Sequence, residues 1–266
     1  MDYETHDGSQ FSLREVWRNT NEGSEDWPDF VYTTVSANVG GKAYCGRLSE
    51  RADDVDEGDV LSTLQPVPPE AIYPAFEEGM TEAPAFDPSK HYLKAPSFTW
   101  DDCQPGVTFV ADCVLNEVNV LELLEKHHHP NIISYHGCVV NDGRITHICL
   151  GRAESNIVEY LEGTKDRPDI SKLMEDVKTG VEFLHTLAIA HNDINPENIC
   201  IAAGTAVIVD FDSCMSFGRE LVKGVSVAHN HRGCPVSTAE NDYRGLADLE
   251  HLLAGLGQIM TAASPG

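Results

Sequence analysis

Two polar stretches late in the chain contain side chains that suit phosphoryl transfer. The first runs from His191 to Asn198, and the second begins at Asp210, directly after the apolar run 206–209. Asp193 can accept the proton of an attacking hydroxyl, and the oxygens of Asn198 and Asp210 suit a magnesium ion that spreads the charge of a phosphate. The sequence therefore predicts a base and a metal site that converge on one phosphoryl group.

The neighbouring segments predict elements that would hold these side chains in place. The apolar run before Asp210 is typical of a short strand, and Ala203-Gly204 predicts the hairpin turn that leads into it. Upstream, apolar residues recur at helical spacing from 170 to 184, and Asp169 is a suitable N-cap. We therefore expect a long helix, a polar loop and a hairpin in succession.

At these residues the sequence resembles the protein kinase superfamily. Kinases share a catalytic loop with the pattern H-R-D-x-x-x-x-N and a metal-binding motif D-F-G. Here the loop reads His191-Asn192-Asp193 followed by Asn198, and the second motif reads Asp-Phe-Asp from Asp210. By resemblance, Asp193 would be the catalytic base, and Asn198 and Asp210 would bind the magnesium of Mg-ATP.

Further segments extend the resemblance over roughly residues 94 to 242. Residues 92–94 resemble the strand with the nucleotide-binding lysine, 116–133 the N-lobe helix and the loop after it, and 238–240 the end of an activation segment. They follow one another in the order of the kinase family. The resemblance implies an α+β, bilobal fold with a small β-rich N-lobe and a truncated, mainly helical C-lobe.

The resemblance also divides the chain. It assigns residues 89–266 to a kinase-like domain, with an N-lobe at 89–150 and a C-lobe at 151–266. Residues 1–88 would form an acidic N-terminal extension. In this extension we expect partial disorder, because polar and acidic residues prevail, and a β-hairpin at 31–48 around Gly-Gly.

Further residues are assigned to ATP by the resemblance. Lys94 would bind the α- and β-phosphates and pair with Glu117 of the N-lobe helix, so that both contribute to catalysis. Gly79 is a glycine at plausible reach ahead of Lys94, although no Gly-x-Gly-x-x-Gly pattern stands there. Gly151 opens the expected hinge, residues 151–154, whose backbone groups would hold the adenine.

Besides the missing glycine-rich loop, three positions depart from the kinase pattern. Asn192 replaces the arginine that reads phosphate on the activation loop, which argues against control by phosphorylation there. Asn195 replaces a lysine that is common in serine/threonine kinases. Asp212 replaces glycine, which adds charge near the metal ions and removes backbone freedom. Carboxylates around Gly79 would also repel the phosphates of ATP.

Three alternative functions follow. The first is an ATP-dependent protein kinase of the serine/threonine type, which would transfer the γ-phosphoryl group of Mg-ATP to a protein hydroxyl. The second is a pseudokinase that acts as a binding or scaffold module, which the missing glycine loop and the short C-lobe favour. The third is a small-molecule phosphotransferase of the aminoglycoside or choline kinase kind, against which the His-Pro-Asn-Ile-Ile segment at 129–133 argues.

The composition limits the partners and the compartment. The 266 residues carry a formal net charge of −25, which argues against nucleic acid and anionic membranes as partners. We expect neither a signal peptide nor a membrane span, and the eight cysteines are scattered, as in a reducing compartment. The sequence therefore predicts an intracellular protein, cytoplasmic or nuclear, with an unidentified protein substrate. The acidic run 53–59 is expected to be a solvated loop.

Overall fold

The computed structural model describes residues 2–4, 10–18, 28–163, 169–221 and 236–262. They fall into two compact units that interleave along the chain. The first unit comprises residues 1–77, 95–114 and 140–147, and the second comprises residues 78–94, 115–139 and 148–266, as far as these are described. Compact units of this kind need not coincide with kinase lobes, so the boundaries after residues 88 and 150 stay predictions.

The first unit contains an antiparallel sheet. Its five strands lie in the order β1-β2-β3-β4-β5. Their bounds are Asp2–Glu4, Gln10–Arg18, Asp29–Val39, Lys42–Leu48 and Gln65–Pro66. The hairpin expected at 31–48 is formed by β3 and β4, and Gly40 and Gly41 of its turn have positive φ, which glycine adopts without strain.

One face of this sheet is apolar and covered. Phe11 and Leu13 of β2 lie in a buried cluster with Val35 and Val60, because alternate side chains of a strand point to the same face. This burial explains why residues 10–18, within the extension for which we predicted partial disorder, form a strand.

The acidic run 53–59 is solvent-exposed, as the sequence suggested, but it is not a loop throughout. Helix α1 spans Glu57–Thr63, so it begins inside the run and continues past its end. The Asp56 carboxylate accepts a hydrogen bond from the Asp59 backbone N–H, and the Asp59 carboxylate accepts one from the Asp56 N–H. This capping box satisfies N–H groups that the first helical turn leaves unpaired, so clustered acidic residues mark a helix start here.

After the five-stranded sheet, the chain alternates short strands with helices. The next elements are α2 (Pro69–Ile72), β6 (His91–Lys94), α3 (Phe109–Glu125), β7 (Tyr135–Asn141) and β8 (Arg144–Gly151). They are followed by β9 (Ser155–Asn156), α4 (Ile157–Gly163), α5 (Ile170–Thr186), β10 (Ile189–Ala190), β11 (Ile199–Ala202), β12 (Thr205–Ile208), β13 (Met215–Ser216) and α6 (Ala239–Ala262). The sheet orders are β6-β8-β7, β12-β11-β9 and β10-β13. Strands prevail in the N-terminal part and helices in the C-terminal part, which confirms the predicted α+β class.

Two tight hairpin turns join these strands, and the one at Ala203-Gly204 confirms the prediction from the sequence. Asp142-Gly143 joins β7 to β8, and Ala203-Gly204 joins β11 to β12. All four of these residues have positive φ, as type I′ turns require. The second turn returns the chain to the catalytic loop and sets the position of Asp210.

Helix α5 confirms the predicted apolar stripe and its cap. The Asp169 side chain accepts a hydrogen bond from the backbone of Lys172 at 3.0 Å, and Val177 is one of the fully buried residues on the helix. At Gly180 the helix approaches β12 so closely that a Cβ would lie 2.9 Å from the Ile208 side chain. The helix therefore packs directly against the strand that leads to the site.

The last helix, α6, buries one apolar face. Leu246, Leu249 and Leu253 are buried, whereas the side chain of Leu256 lies outside the described residues. Most of residues 218–233, ahead of the segment that resembles the end of an activation segment, also lies outside them. Of the helices that the structure describes, none combines the length and the apolar character needed to cross a membrane.

Candidate active site

A lysine and two carboxylates from distant segments form an ion-pair cluster in the second unit. Nζ of Lys94 donates to both carboxylate oxygens of Glu117 and to Oδ1 of Asp210, each at 2.7 Å. The side chains of Lys94, Glu117 and Asp210 are 24%, 3% and 37% exposed. The structure therefore brings together three residues that the sequence singled out, and their charges are largely shielded from water.

Local structure explains why these side chains meet. Lys94 ends β6, which is held in register by β8. Helix α3 buries Val118 and Leu124 on its apolar face, and Glu117, at the edge of that face, is buried with them. Asp210 follows β12, which pairs with β11 in an antiparallel hairpin. A strand, a helix and a hairpin thus each contribute one charged side chain.

The cluster shifts the pKa values of its members. Burial alone would lower the pKa of Lys94, but the charges of Glu117 and Asp210 outweigh burial and raise it. Burial raises the pKa of Glu117. The positive charge of Lys94 lowers it, whereas the negative charges of Asp210 and Asp212 raise it further. Lys94 therefore stays charged at neutral pH, and three carboxylates around one ammonium leave an excess of negative charge.

The catalytic-loop residues Asp193 and Asn198 lie side by side. Nδ2 of Asn198 donates to the backbone carbonyl of Asp193 at 2.8 Å and to its carboxylate at 3.0 Å. Asn195 caps the short 3-10 turn at 196–198 by accepting from the backbone N–H groups of Glu197 and Asn198. These bonds commit the amide nitrogen of Asn198 to the loop, so its amide oxygen is the atom suited to a cation.

Backbone contacts connect the catalytic loop to Asp210. The N–H of Val209 donates to the carbonyl of Asn198 at 3.0 Å, and Nε2 of His191 donates to the carbonyl of Val209 at 3.0 Å. His191 is fully buried, and its ring packs edge-on against Phe211 at a centroid distance of 5.2 Å. The two predicted metal ligands, Asn198 and Asp210, are therefore carried by backbone segments that are bonded to each other.

The side chain of Asp242 anchors the loop to α6. Its fully buried carboxylate accepts from the backbone N–H groups of His191 at 3.0 Å and Asn192 at 2.7 Å. This contact ties the last helix to the catalytic loop. One turn further along α6, a Cβ at Gly245 would overlap the carbonyl of Ile194, so the helix supports the loop at van der Waals distance.

Asn192, where kinases carry arginine, joins several segments through hydrogen bonds that the sequence did not reveal. Its amide nitrogen lies 3.0 Å from the carbonyls of Ala190 and Ser213 and 3.1 Å from the hydroxyl of Ser237. Its amide oxygen accepts from Asn241 at 3.0 Å. A neutral amide thus connects the catalytic loop with both ends of the segment between Ser213 and Ser237.

Two residues of the site adopt a backbone conformation that side chains rarely take. Asn192 has a φ of 66° and Asp210 a φ of 62°. Asparagine and aspartate tolerate this region better than most residues, and such positions cluster at functional sites. The residue type at these positions is the one sequence signal that could have indicated the unusual backbone.

Asn116 is a second positioning residue that sequence reasoning missed. Its amide nitrogen donates to the carbonyls of Asp212 at 3.3 Å and Cys214 at 3.0 Å. The neighbouring Glu117 accepts from the backbone N–H of Phe211 at 3.2 Å. Adjacent polar residues on α3 therefore hold the backbone on the far side of Asp210.

The structure does not bring Gly79 together with the lysine cluster. Thr81, two residues later, accepts a hydrogen bond at its carbonyl from the N–H of Cys138 on β7 at 2.8 Å. Strand β7 lies at the opposite edge of the sheet from β6, which carries Lys94. The segment around Gly79 therefore extends the far edge of the sheet, because its backbone pairs there, and it does not pass beside Lys94.

Gly151, the first residue of the expected hinge, ends β8. It lies opposite His91 of β6 in the antiparallel register, three residues before Lys94 on that strand. Its N–H donates to the carbonyl of Ser134 at 2.7 Å. A contact of Gly151 with adenine stays a prediction.

The donor set of Asn198 and Asp210 fits magnesium. Within the part of the chain that the structure describes, no three His, Cys, Asp or Glu side chains gather as a metal cluster. Magnesium in phosphoryl-transfer sites needs no such cluster, since it takes one or two protein oxygens and completes its shell with phosphate and water oxygens. The excess negative charge around Lys94 further favours a divalent cation.

Known proteins share this part of the sequence. The model of the protein kinase domain family matches residues 106–235. A putative serine/threonine-protein kinase of Acanthamoeba polyphaga mimivirus is 33% identical over 104 residues, which cover 39% of this chain and 18% of that protein. Serine/threonine-protein kinase GRIK2 of Arabidopsis thaliana is 29% identical over 125 residues, covering 42% and 28%. Serine/threonine-protein kinase/endoribonuclease IRE2 of Homo sapiens is 28% identical over 135 residues, covering 46% and 13%.

A lysine–glutamate–aspartate cluster beside an Asp–Asn loop, on a mixed α+β scaffold, defines a kinase-like fold. Together with the sequence matches, it supports membership of the protein kinase superfamily. The resemblance stated from the motifs is thereby confirmed. The chain spans less than a third of the length of these relatives.

Proposed function

We propose that this chain is an ATP-dependent protein kinase that transfers the γ-phosphoryl group of Mg-ATP to a serine or threonine hydroxyl of a protein. One observation carries the proposal: Nζ of Lys94 binds Glu117 and Asp210 at once, at 2.7 Å. The names of the relatives, all serine/threonine-protein kinases, support the choice of acceptor.

Lys94 would bind the α- and β-phosphates of the nucleotide. A lysine side chain is flexible, and the two hydrogen bonds to Glu117 hold its ammonium in one place before ATP arrives. Placing charge in advance lowers the cost of reorganisation when the phosphates bind. Glu117 therefore acts through Lys94, and Lys94 acts on the substrate.

Asp193 would orient the acceptor hydroxyl and accept its proton as the new bond to phosphorus forms. Its carboxylate is fixed by the hydrogen bond from Asn198 at 3.0 Å. With one oxygen engaged in this way, the other can face the incoming hydroxyl. The side chain is half-buried, so solvent can still reach the place where a protein substrate would bind.

Asn198 and Asp210 would hold magnesium through their oxygens, and Asp212 lies near enough to influence the charges of the same cluster. When bound, the metal neutralises charge that develops on the transferred phosphoryl group. The protein's own contribution is to hold two oxygen ligands on bonded backbone segments.

A binding module without catalysis is the second candidate. The position of Gly79 favours this candidate, because residues 78–94, all of which the structure describes, do not form a glycine-rich loop next to Lys94. A small-molecule phosphotransferase has no comparable support, since the relatives reported above are named as protein kinases.

Mg-ATP binding and phosphoryl transfer by the full chain test the proposal. The protein is incubated with γ-labelled ATP, magnesium and a mixture of serine- and threonine-containing peptides, and we expect magnesium-dependent labelling of the peptides. Mg-ATP at about a hundred times its Kd should also stabilise the fold by about 2.7 kcal/mol. Asp210→Ala should abolish both effects, whereas Asp248→Ala, an exposed aspartate on α6, should retain them.

Three outcomes separate the candidates. Unchanged nucleotide affinity in Asp210→Ala contradicts the assigned metal site. Binding of Mg-ATP without any transfer supports the binding module. If Mg-ATP neither stabilises the protein nor labels a peptide, the kinase proposal fails.

A further inference from the structure

We infer that the nucleotide site of this chain does not select its base and accepts GTP as readily as ATP. The inference rests on the proposed function, because it concerns the same site. It is carried by the backbone of residues 150–154, the end of β8 and the expected hinge, and by the position of Tyr92.

Three of the four N–H groups of the expected hinge, residues 151–154, are already bound within the second unit. They donate to protein carbonyls at 2.7 to 2.8 Å: Gly151 to Ser134, Arg152 to Lys90, and Glu154 to Ile201. A base could use such a group only if the protein gave up an existing hydrogen bond, which would offset the new one.

Strand β6 also occupies the edge of β8 that would face the base. Tyr92 lies directly opposite Leu150 in the antiparallel register. In an antiparallel ladder, hydrogen-bonded pairs recur at every second residue, so the bond from Arg152 to Lys90 makes Tyr92 and Leu150 the next hydrogen-bonded pair. The N–H and the carbonyl of Leu150 are thereby committed to the backbone of Tyr92.

Discrimination between purines depends on those same groups. Adenine presents an amino donor where guanine presents a carbonyl acceptor. A site selects one of them strongly when its own polar groups would be left unpaired by the other. Because the two backbone groups of Leu150 and the N–H groups of Gly151 and Arg152 are already bonded within the protein, neither base leaves them unpaired, and we expect ATP and GTP to bind with the same free energy.

The remaining contacts are common to both nucleotides. Lys94, Asn198 and Asp210 act on phosphates and magnesium, which are identical in ATP and GTP. Tyr92 lies two residues before Lys94 and therefore on the same face of β6, and the residue is 54% exposed. An aromatic ring can stack on any base, an interaction that strengthens binding by roughly tenfold or more.

Titration of the full chain with Mg-ATP, Mg-GTP and Mg-tripolyphosphate tests the inference. We expect the Kd values for ATP and GTP to agree within about fivefold, and tripolyphosphate, which has no base, to bind about tenfold more weakly. Tyr92→Ala should weaken the binding of ATP and of GTP equally, until both Kd values match that of tripolyphosphate. Tyr243→Ala is the matched control, because this tyrosine of α6 is 52% exposed and should leave all three affinities unchanged.

The outcomes separate this inference from the proposed function. A preference for ATP over GTP of more than about fivefold overturns the inference and leaves the kinase proposal standing, and so do unchanged nucleotide affinities in Tyr92→Ala. If none of the three triphosphates binds, both the inference and the proposed function fail.

Discussion

The phosphate end and the hinge end of the candidate nucleotide site use their polar groups in opposite ways. At the phosphate end, Lys94 and Asp210, 116 positions apart in sequence, meet at 2.7 Å, and the surrounding carboxylates outnumber the ammonium. At the hinge end, the backbone N–H groups of Gly151 and Arg152 already donate to the carbonyls of Ser134 and Lys90. Excess charge favours a bound cation, whereas a paired backbone favours no ligand. Affinity and base selectivity can therefore be lost independently in one site.

The largest expected effect comes from removing the base at the phosphate end. Asp193→Asn should lower kcat for peptide phosphorylation by about 10²- to 10⁴-fold, because a positioned base contributes roughly that factor. The Kd for Mg-ATP should stay unchanged, since Asp193 does not contact the nucleotide in the proposed arrangement. Single-turnover assays and calorimetry measure the two quantities separately.

The matched control for that variant is Glu197→Gln. Glu197 is an exposed carboxylate of the same loop, so this change removes the same charge without touching the proposed base. Equal losses of kcat in the two variants would mean that the loop acts through its charge alone, which contradicts the role of Asp193.

A smaller effect, on stability, should follow from breaking the ion-pair cluster. Lys94→Met leaves Glu117, which is 3% exposed, without its cation, and the loss of one partner from a buried pair costs about 3 kcal/mol or more. Urea unfolding of the ligand-free protein measures the change. Lys126→Met, at an exposed lysine just after α3, should change the free energy of unfolding by less than about 0.5 kcal/mol. A similarly small change in Lys94→Met would mean that the cluster behaves as a surface ion pair.

The smallest effect concerns the packing that supports the loop. Gly245→Ala places a Cβ against the carbonyl of Ile194 and should destabilise the protein by about 1 to 3 kcal/mol. Gly255 lies on the same helix, and a Cβ added there would have no atom within 4 Å. Gly255→Ala should therefore stabilise the protein by up to about 1 kcal/mol. Thermal unfolding should therefore give shifts of opposite sign, and shifts of the same sign would show that α6 does not brace the loop.

The comparison also separates what could be predicted from what could not. The residue types of Asp193, Asn198 and Asp210, together with the intervening turn, lie within 18 positions of one another, where spacing is a reliable guide. The position of Gly79 could not be found in this way, because it depends on which edge of the sheet the backbone of Thr81 joins. The same holds for Asn192, whose partners come from Ser213, Ser237 and Asn241.

The sequence by itself determined the class of protein, the helix α5, two hairpin turns and the charged residues of the cluster, because these depend on side-chain type, periodicity and short-range turn chemistry. Only the tertiary structure decided that Lys94 reaches Glu117 and Asp210 simultaneously, that a neutral asparagine joins the ends of the segment after the metal motif, and that strand β6 covers the hinge backbone. These features depend on which strand edges and helices meet, and many different pairings of the same segments would satisfy the local sequence signals equally well.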